Sequence, residues 1–302
     1  MFLMKPCIEI MTPIQDERGH ELARMIEKIG RTCWQSEEKR ETKMERLMTD
    51  PNHEPNTWQP YPISDLQMWA DRQFRVSRII TDDFLRFLVK VGHESVLEHV
   101  VVTVRFVVDR SLSHQLIRHR IGAYSQESQR YCDYGKKGQV AFILPAFVPL
   151  KPGYYEWEAD SLSAIPEEML TLPTLPKEGA PLMEWQTWTQ TVQDRGLKKM
   201  EIDTTGWPQR NAALVWLKAM QNAEESYLDL RDSGIKAEDA RGVLPNATKT
   251  EIVATFNLRM WRHIFQERAA NPAAQKPIRE ATGWVLTAFK ETPLAPGFGD
   301  FE

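Results

Sequence analysis

The sequence predicts a globular protein of mixed helix and strand, on three observations. Residues 100–108, VVVTVRFVV, alternate like a strand yet are apolar on both faces. Other segments, residues 211–232 among them, repeat apolar side chains at helical spacing. The composition, 42% hydrophobic and 26% charged, is that of an ordinary soluble chain able to bury a core.

Taken in order, Thr81, Asp82 and Asp83 precede the stripe Phe84, Leu85, Leu88 and Val91, then Gly92, which reads as a capped helix with a glycine stop. The strand 100–108 sets Val102, Val104, Phe106 and Val108 against Val101, Thr103, Arg105 and Val107, and so belongs inside a sheet. Ser111 is positioned to cap a short helix that runs into Arg118, His119 and Arg120. A turn follows at Gly122, then a polar loop over residues 123–131, then a second strand at 142–145 closed by proline. Leu214, Leu217, Met220, Tyr227 and Leu230 mark a helix over 211–232 that Gly234 ends. The capping-box spacing of Thr248 and Glu251 predicts another over 248–268, and a last helix covers 278–289. Residues 36–71, charged and aperiodic, and 151–208, rich in proline and tryptophan, read as insertions on a single catalytic domain spanning 1–302.

Charge narrows the function classes. A formal net charge of -4 and a pI near 6.0 oppose a nucleic-acid partner, including an RNA binder built on the arginines and tryptophans, because phosphate-backbone affinity needs a basic excess. No apolar run is long enough to span a bilayer, and the first residues lack the apolar core of a signal peptide. Cys7, Cys33 and Cys132 are too scattered for a disulfide framework. Together these predict a cytoplasmic protein. His93 and His99 are six apart, with Glu94 and Glu98 between them, which is not zincin spacing, so no metal is expected.

The densest set of recognition groups is Arg118, His119 and Arg120, followed by Tyr124, Ser125, Gln126, Ser128, Gln129 and Arg130. Guanidinium forks bind phosphate oxygens, and amides read the edge of a base or a flavin ring. On composition alone a solvated basic turn is the commoner explanation.

The string RHRIGAYSQESQRY, residues 118–131, resembles the signature of the flavin-dependent thymidylate synthases: Arg-His-Arg, seven residues, then Ser, here Ser128. The flanks agree in order and spacing: His93-Glu94-Ser95, Glu98-His99, a strand, and Gln115 before the triplet. A distant block, Ala240 to Pro245, with Asn257-Leu258-Arg259 and Arg268, resembles the same family's C-terminal contacts.

The resemblance implies an α+β fold, a central sheet covered by helices, in a homotetramer whose active sites are shared between subunits. It implies FAD contacts from Ser95, Arg118, His119, Arg120, Asn257, Arg259 and His263, and dUMP contacts from Gln115, Gln126, Ser128, Gln129, Arg130, Arg241 and Arg268. His263 stands where some members carry asparagine, and Gln126 where others carry glutamate. Arg268, Ser128 and His93 are implied at the reacting centre, His93 beside the isoalloxazine and Ser128 as a ligand, since nothing in the sequence supplies it with a base. The implied reaction methylates dUMP to dTMP, with 5,10-methylenetetrahydrofolate as carbon donor and NADPH as the reductant of FAD. On a single helix over 248–268, Asn257 and Arg268 would share a face about 16 Å apart.

Overall fold

The computed structural model describes residues 1–49, 66–146, 148, 152–154 and 208–301. Two compact units emerge: residues 1–7, 106–117 and 125–252 form one, and 8–105, 118–124 and 253–302 the other. Helices and sheets are both present. A four-stranded sheet has the order β2 (Cys7–Ile10), β3 (Val101–Asp109), β7 (Lys249–Asn257), β4 (Ala123–Gln126). The apolar run read as an inner strand is therefore inner.

In the first unit, β1 (Phe2–Met4) pairs parallel with β5 (Ala141–Ile143), Leu3 opposite Phe142, and antiparallel with β6 (Gly153–Tyr154). Leu3 and Phe142 are buried with Leu217, Met220 and Tyr227, the inward stripe of α5 (Pro208–Asp232). Burying side chains of this size stabilises by roughly 1.5 to 3 kcal/mol each. A polar clamp adds direction, since Arg231 grips the Asp133 carboxylate through Nη2 at 2.7 Å and Nε at 3.0 Å. The unit also contains α4 (Arg110–Leu116) and the single turn α6 (Ala237–Ala240).

The second unit holds α1 (Asp16–Trp34), α2 (Glu37–Thr49), α3 (Leu66–Lys90), α7 (Leu258–Ile264), a π-helical turn (Phe265–Ala270) and α8 (Lys276–Lys290). Its aromatic core centres on Trp261, whose ring meets Phe256 at 4.9 Å and Phe265 and Phe289 at 5.6 Å. The indole N–H is not stranded by this burial: it donates to the Val102 carbonyl at 3.0 Å. No helix among the described residues is long and apolar enough to cross a membrane.

Several expectations are corrected. Residues 248–268 are not one helix. Lys249–Asn257 is a strand in which Thr250, Ile252, Ala254 and Phe256 are buried in alternation, a period of two that the capping-box spacing masked. The Thr248 hydroxyl instead donates to the Pro245 carbonyl, and Glu251 accepts from Lys249. The polar stretch after Gly122 opens with strand β4, whose alternating exposure hides it from a hydrophobicity reading. Thr81 lies inside α3, its hydroxyl shared between Ser77 O and Glu27, and Asp109 rather than Ser111 caps α4 by accepting from Leu112 N–H at 2.7 Å. Within 36–71, Glu37–Thr49 is helical and a second helix begins at Leu66; α2 looked irregular because it buries only Arg40 and Leu47. Residues 50–65 and nearly all of 151–208 lie outside the described residues.

Candidate active site

In the second unit the carbonyl of His119 accepts the Tyr124 hydroxyl at 2.6 Å, and the Tyr124 ring meets Phe256 of β7 edge-on. Gly122 lets this turn lie flat on the strand: a Cβ there would stand 2.3 Å from the Phe256 ring. The result is that Arg118, His119 and Arg120 line a cavity of about 810 Å³ with Asn257, Arg259 and His263. Six of the residues expected to bind flavin are thus brought together.

Asn257 is the last residue of β7 and the N-cap of α7, its Oδ1 accepting the Met260 N–H at 2.8 Å. Arg259, in the first turn of α7, pairs with Glu98 across the cavity lining. The rings of His119 and His263 are 5.8 Å apart, edge to face. Nε of Arg268 donates to Nε2 of His119 at 3.2 Å, so that nitrogen carries a lone pair. Burial, then the charges of Arg268 and His263, lower the His119 pKa to about 4, and the imidazole is neutral at pH 7.

Two expected residues stand apart. His93 is exposed and packs on Trp34 with ring centres 5.0 Å apart, and neither it nor Ser95, on the adjoining turn Glu94–His99, lines the cavity. The sequence reading missed Glu94, Glu98, Met260, Arg262, Gln266 and Phe301 in the lining. Arg262 is visible in the sequence as a further cation about one turn beyond Arg259, and Glu94 and Glu98 belong to the flanking block of the resemblance, which implies no ligand contact for either.

In the first unit, the Gln126 amide donates to Ser113 Oγ at 2.9 Å and Thr250 Oγ1 at 3.2 Å, which fixes its orientation. Ser128 Oγ accepts the Arg130 N–H at 3.3 Å, a local turn contact with no base attached. Gln129 is buried and bonds Tyr134. Arg130 reaches Glu238 Oε2 at 3.3 Å through Nη2, while Arg241 Nε donates to the backbone carbonyl of the same Glu238 at 3.1 Å. Gln115 sits half-buried on α4. Two arginines therefore converge on one residue, Glu238.

The family model described as thymidylate synthase complementing protein matches residues 18–293. A flavin-dependent thymidylate synthase of Geobacter sulfurreducens is 32% identical over 216 residues, covering 69% of this chain and 68% of that protein. One from Mycobacteroides abscessus is 32% identical over 242 residues, covering 78% and 75%. In fold, the chain is similar to the UMP/dUMP methylase PolB of Streptomyces cacaoi bound with 5-Br UMP, with a TM-score of 0.53 at 19% identity over 99% of this chain and 96% of that one. With its Arg-His-Arg turn lining the cavity and the family match running nearly from end to end, the chain belongs to the thymidylate synthase complementing protein family, the flavin-dependent thymidylate synthases.

Proposed function

We propose that the chain methylates C5 of the uracil of dUMP, giving dTMP, with FAD as cofactor, 5,10-methylenetetrahydrofolate as carbon donor and NADPH as reductant, as a cytoplasmic homotetramer with shared active sites. The observation that carries this reading is the cavity lined by Arg118, Arg120 and Arg259. Its donor set suits FAD: guanidinium forks match a pyrophosphate, and a neutral His119 beside them adds no further charge. Bound there, FAD would supply the hydride that completes the methyl group.

The chain's own residues bind and orient. Arg118, Arg120 and Arg259 neutralise phosphate charge, with Glu98 holding Arg259 until a ligand competes for it. Arg130 and Arg241 are the phosphate-binding candidates on the nucleotide side, and Gln126 offers an amide of fixed direction to the base. Arg268 is the group to stabilise negative charge that develops on the uracil carbonyls as C5 becomes nucleophilic. Ser128 acts as a ligand, since among the described residues its hydroxyl has only a backbone N–H beside it.

Activity is expected to require dUMP, methylenetetrahydrofolate and NADPH together and to release tetrahydrofolate, from protein that carries flavin absorbance when purified. NADPH oxidation indifferent to dUMP, with no dTMP formed, would overturn the reading.

A further inference from the structure

Arg268 does not extend from a regular helix. It stands on the π-helical turn Phe265–Ala270, whose i to i+5 bonding re-aims the side chains that follow α7. Its guanidinium is held at one nitrogen, with Nε donating to Nε2 of His119 at 3.2 Å. An arginine Nε–H is purely a donor, so His119 must be the neutral tautomer with its proton on Nδ1. His119 is itself immobilised. It is 6% exposed, its carbonyl is bound by the Tyr124 hydroxyl, and its ring abuts His263. Among the described residues neither Nη group has a hydrogen-bond partner, so one bond at Nε to a fixed acceptor leaves both for a ligand and restricts the rotation of the guanidinium plane.

We propose that His119 is a positioning residue for Arg268, its Nε2 lone pair orienting the guanidinium so that the two Nη groups present a fork to the pyrimidine nucleotide. This deepens the proposed function and rests on Arg268 contacting that nucleotide. Such a role differs from a flavin contact because it acts through Arg268 alone. It also depends on an acceptor at the reach of Nε2, which glutamine supplies and asparagine, one methylene shorter, does not.

The test uses protein reconstituted with saturating FAD, with dUMP affinity read by calorimetry and kcat and KM measured separately. His119→Asn is expected to weaken dUMP binding about tenfold or more, the scale of a lost hydrogen bond to a charged group, and His119→Gln to recover most of it. In an Arg268→Ala background, His119→Asn should produce no further loss of dUMP affinity. Equal weakening by Asn and Gln, or an additive loss in that background, would overturn the positioning role. Unchanged dUMP affinity in Arg268→Ala alone would remove the nucleotide contact itself, a distinguishable failure that takes the proposal with it. A measurement independent of any variant is ¹⁵N NMR of the His119 ring in wild-type protein: protonated Nδ1 and acceptor Nε2 are required, and a proton on Nε2 would exclude the geometry.

Discussion

Asn257 ends strand β7 and caps helix α7 with the same side chain, its Oδ1 2.8 Å from the Met260 N–H. The cap fixes the first turn of the helix, where Arg259 faces the cavity. Losing an N-cap costs about 1 kcal/mol. Asn257→Ala should therefore lower the melting temperature and weaken flavin binding together. Asn257→Ser, which keeps a capping oxygen but no amide, should regain the melting temperature; if it regains FAD affinity as well, the amide makes no flavin contact and Asn257 acts through the cap alone.

How far the sequence could be read followed the period of each pattern. The strand at 101–109 and the helices ending at Gly92 and Gly234 were legible because apolar repeats and glycines at φ of +72° and +83° mark them. Strand β7 was not. Its buried positions include Thr250 and Ala254, weakly hydrophobic residues that blur a period of two, and the serviceable cap signal at Thr248 pointed to a helix. The Arg118–Arg120 turn, Asn257 and Arg259 are legible by motif and Glu98 as part of its flank, whereas the place of Glu98, Arg262 and Phe301 in the lining comes only with the folded cavity. The pairings of Arg259 with Glu98 and of Arg262 with Glu94 carry no signal in the sequence, because the fold rather than the chain brings these residues together.

Acidification should destabilise the unliganded protein through His119. Its folded pKa, about 4, lies below the ordinary value of 6.5, so between these limits the unfolded chain binds more protons than the folded one. The contribution of the neutral ring is thus present above pH 6.5 and lost as pH falls towards 4, by at most on the order of 3 kcal/mol for a side chain this buried. His20, also lowered by burial, titrates in the same direction. Comparison with His119→Gln isolates the site: the melting temperature of wild type should fall more steeply from pH 7 to 4. Parallel curves would show that His119 does not titrate as its surroundings imply.

Glu27 is fully buried in α1 and accepts hydrogen bonds from Arg31 at 2.7 Å, Arg24 at 2.8 Å, Arg40 at 3.1 Å and the Thr81 hydroxyl at 2.7 Å. Burial pushes its pKa up, but Thr81 and the three arginines outweigh it and the net direction is down. The carboxylate thereby ties α1, α2 and α3. Glu27→Ala should cost about 3 to 5 kcal/mol, because it leaves buried guanidinium charge uncompensated. Flavin content per folded molecule should stay at the wild-type level, since Glu27 is not part of the cavity lining. Denaturant unfolding checks the first expectation, and a loss under about 1 kcal/mol would show that the arginines find other partners.

Arg262 joins stability to the site. From α7 its Nε donates to Glu94 at 2.8 Å, and Nη1 and Nη2 grip the Asp300 carboxylate at 2.8 and 2.6 Å. Nη1 also donates to the Gly297 carbonyl, and the guanidinium lies 5.1 Å from the Phe301 ring centre. One side chain thus fastens the turn that begins at Glu94 and the segment around Asp300 to the cavity wall, which Glu94, Arg262 and Phe301 all line. Removing it should cost about 1.5 to 3 kcal/mol, the worth of hydrogen bonds to charged groups, and not the full penalty of a broken buried pair, because Glu94 and Asp300 are solvated enough to rehydrate. Arg262→Lys should recover little, since one ammonium cannot span two carboxylates and a carbonyl. Asp300→Asn weakens the same grip from the other side while leaving the Glu94 contact, so its loss should be smaller. If the wall shapes the flavin site, FAD affinity should fall in the order Asp300→Asn, Arg262→Lys, Arg262→Ala, tracking the loss of melting temperature. Melting temperatures that fall in that order with FAD affinity unchanged would confine Arg262 to holding the chain together.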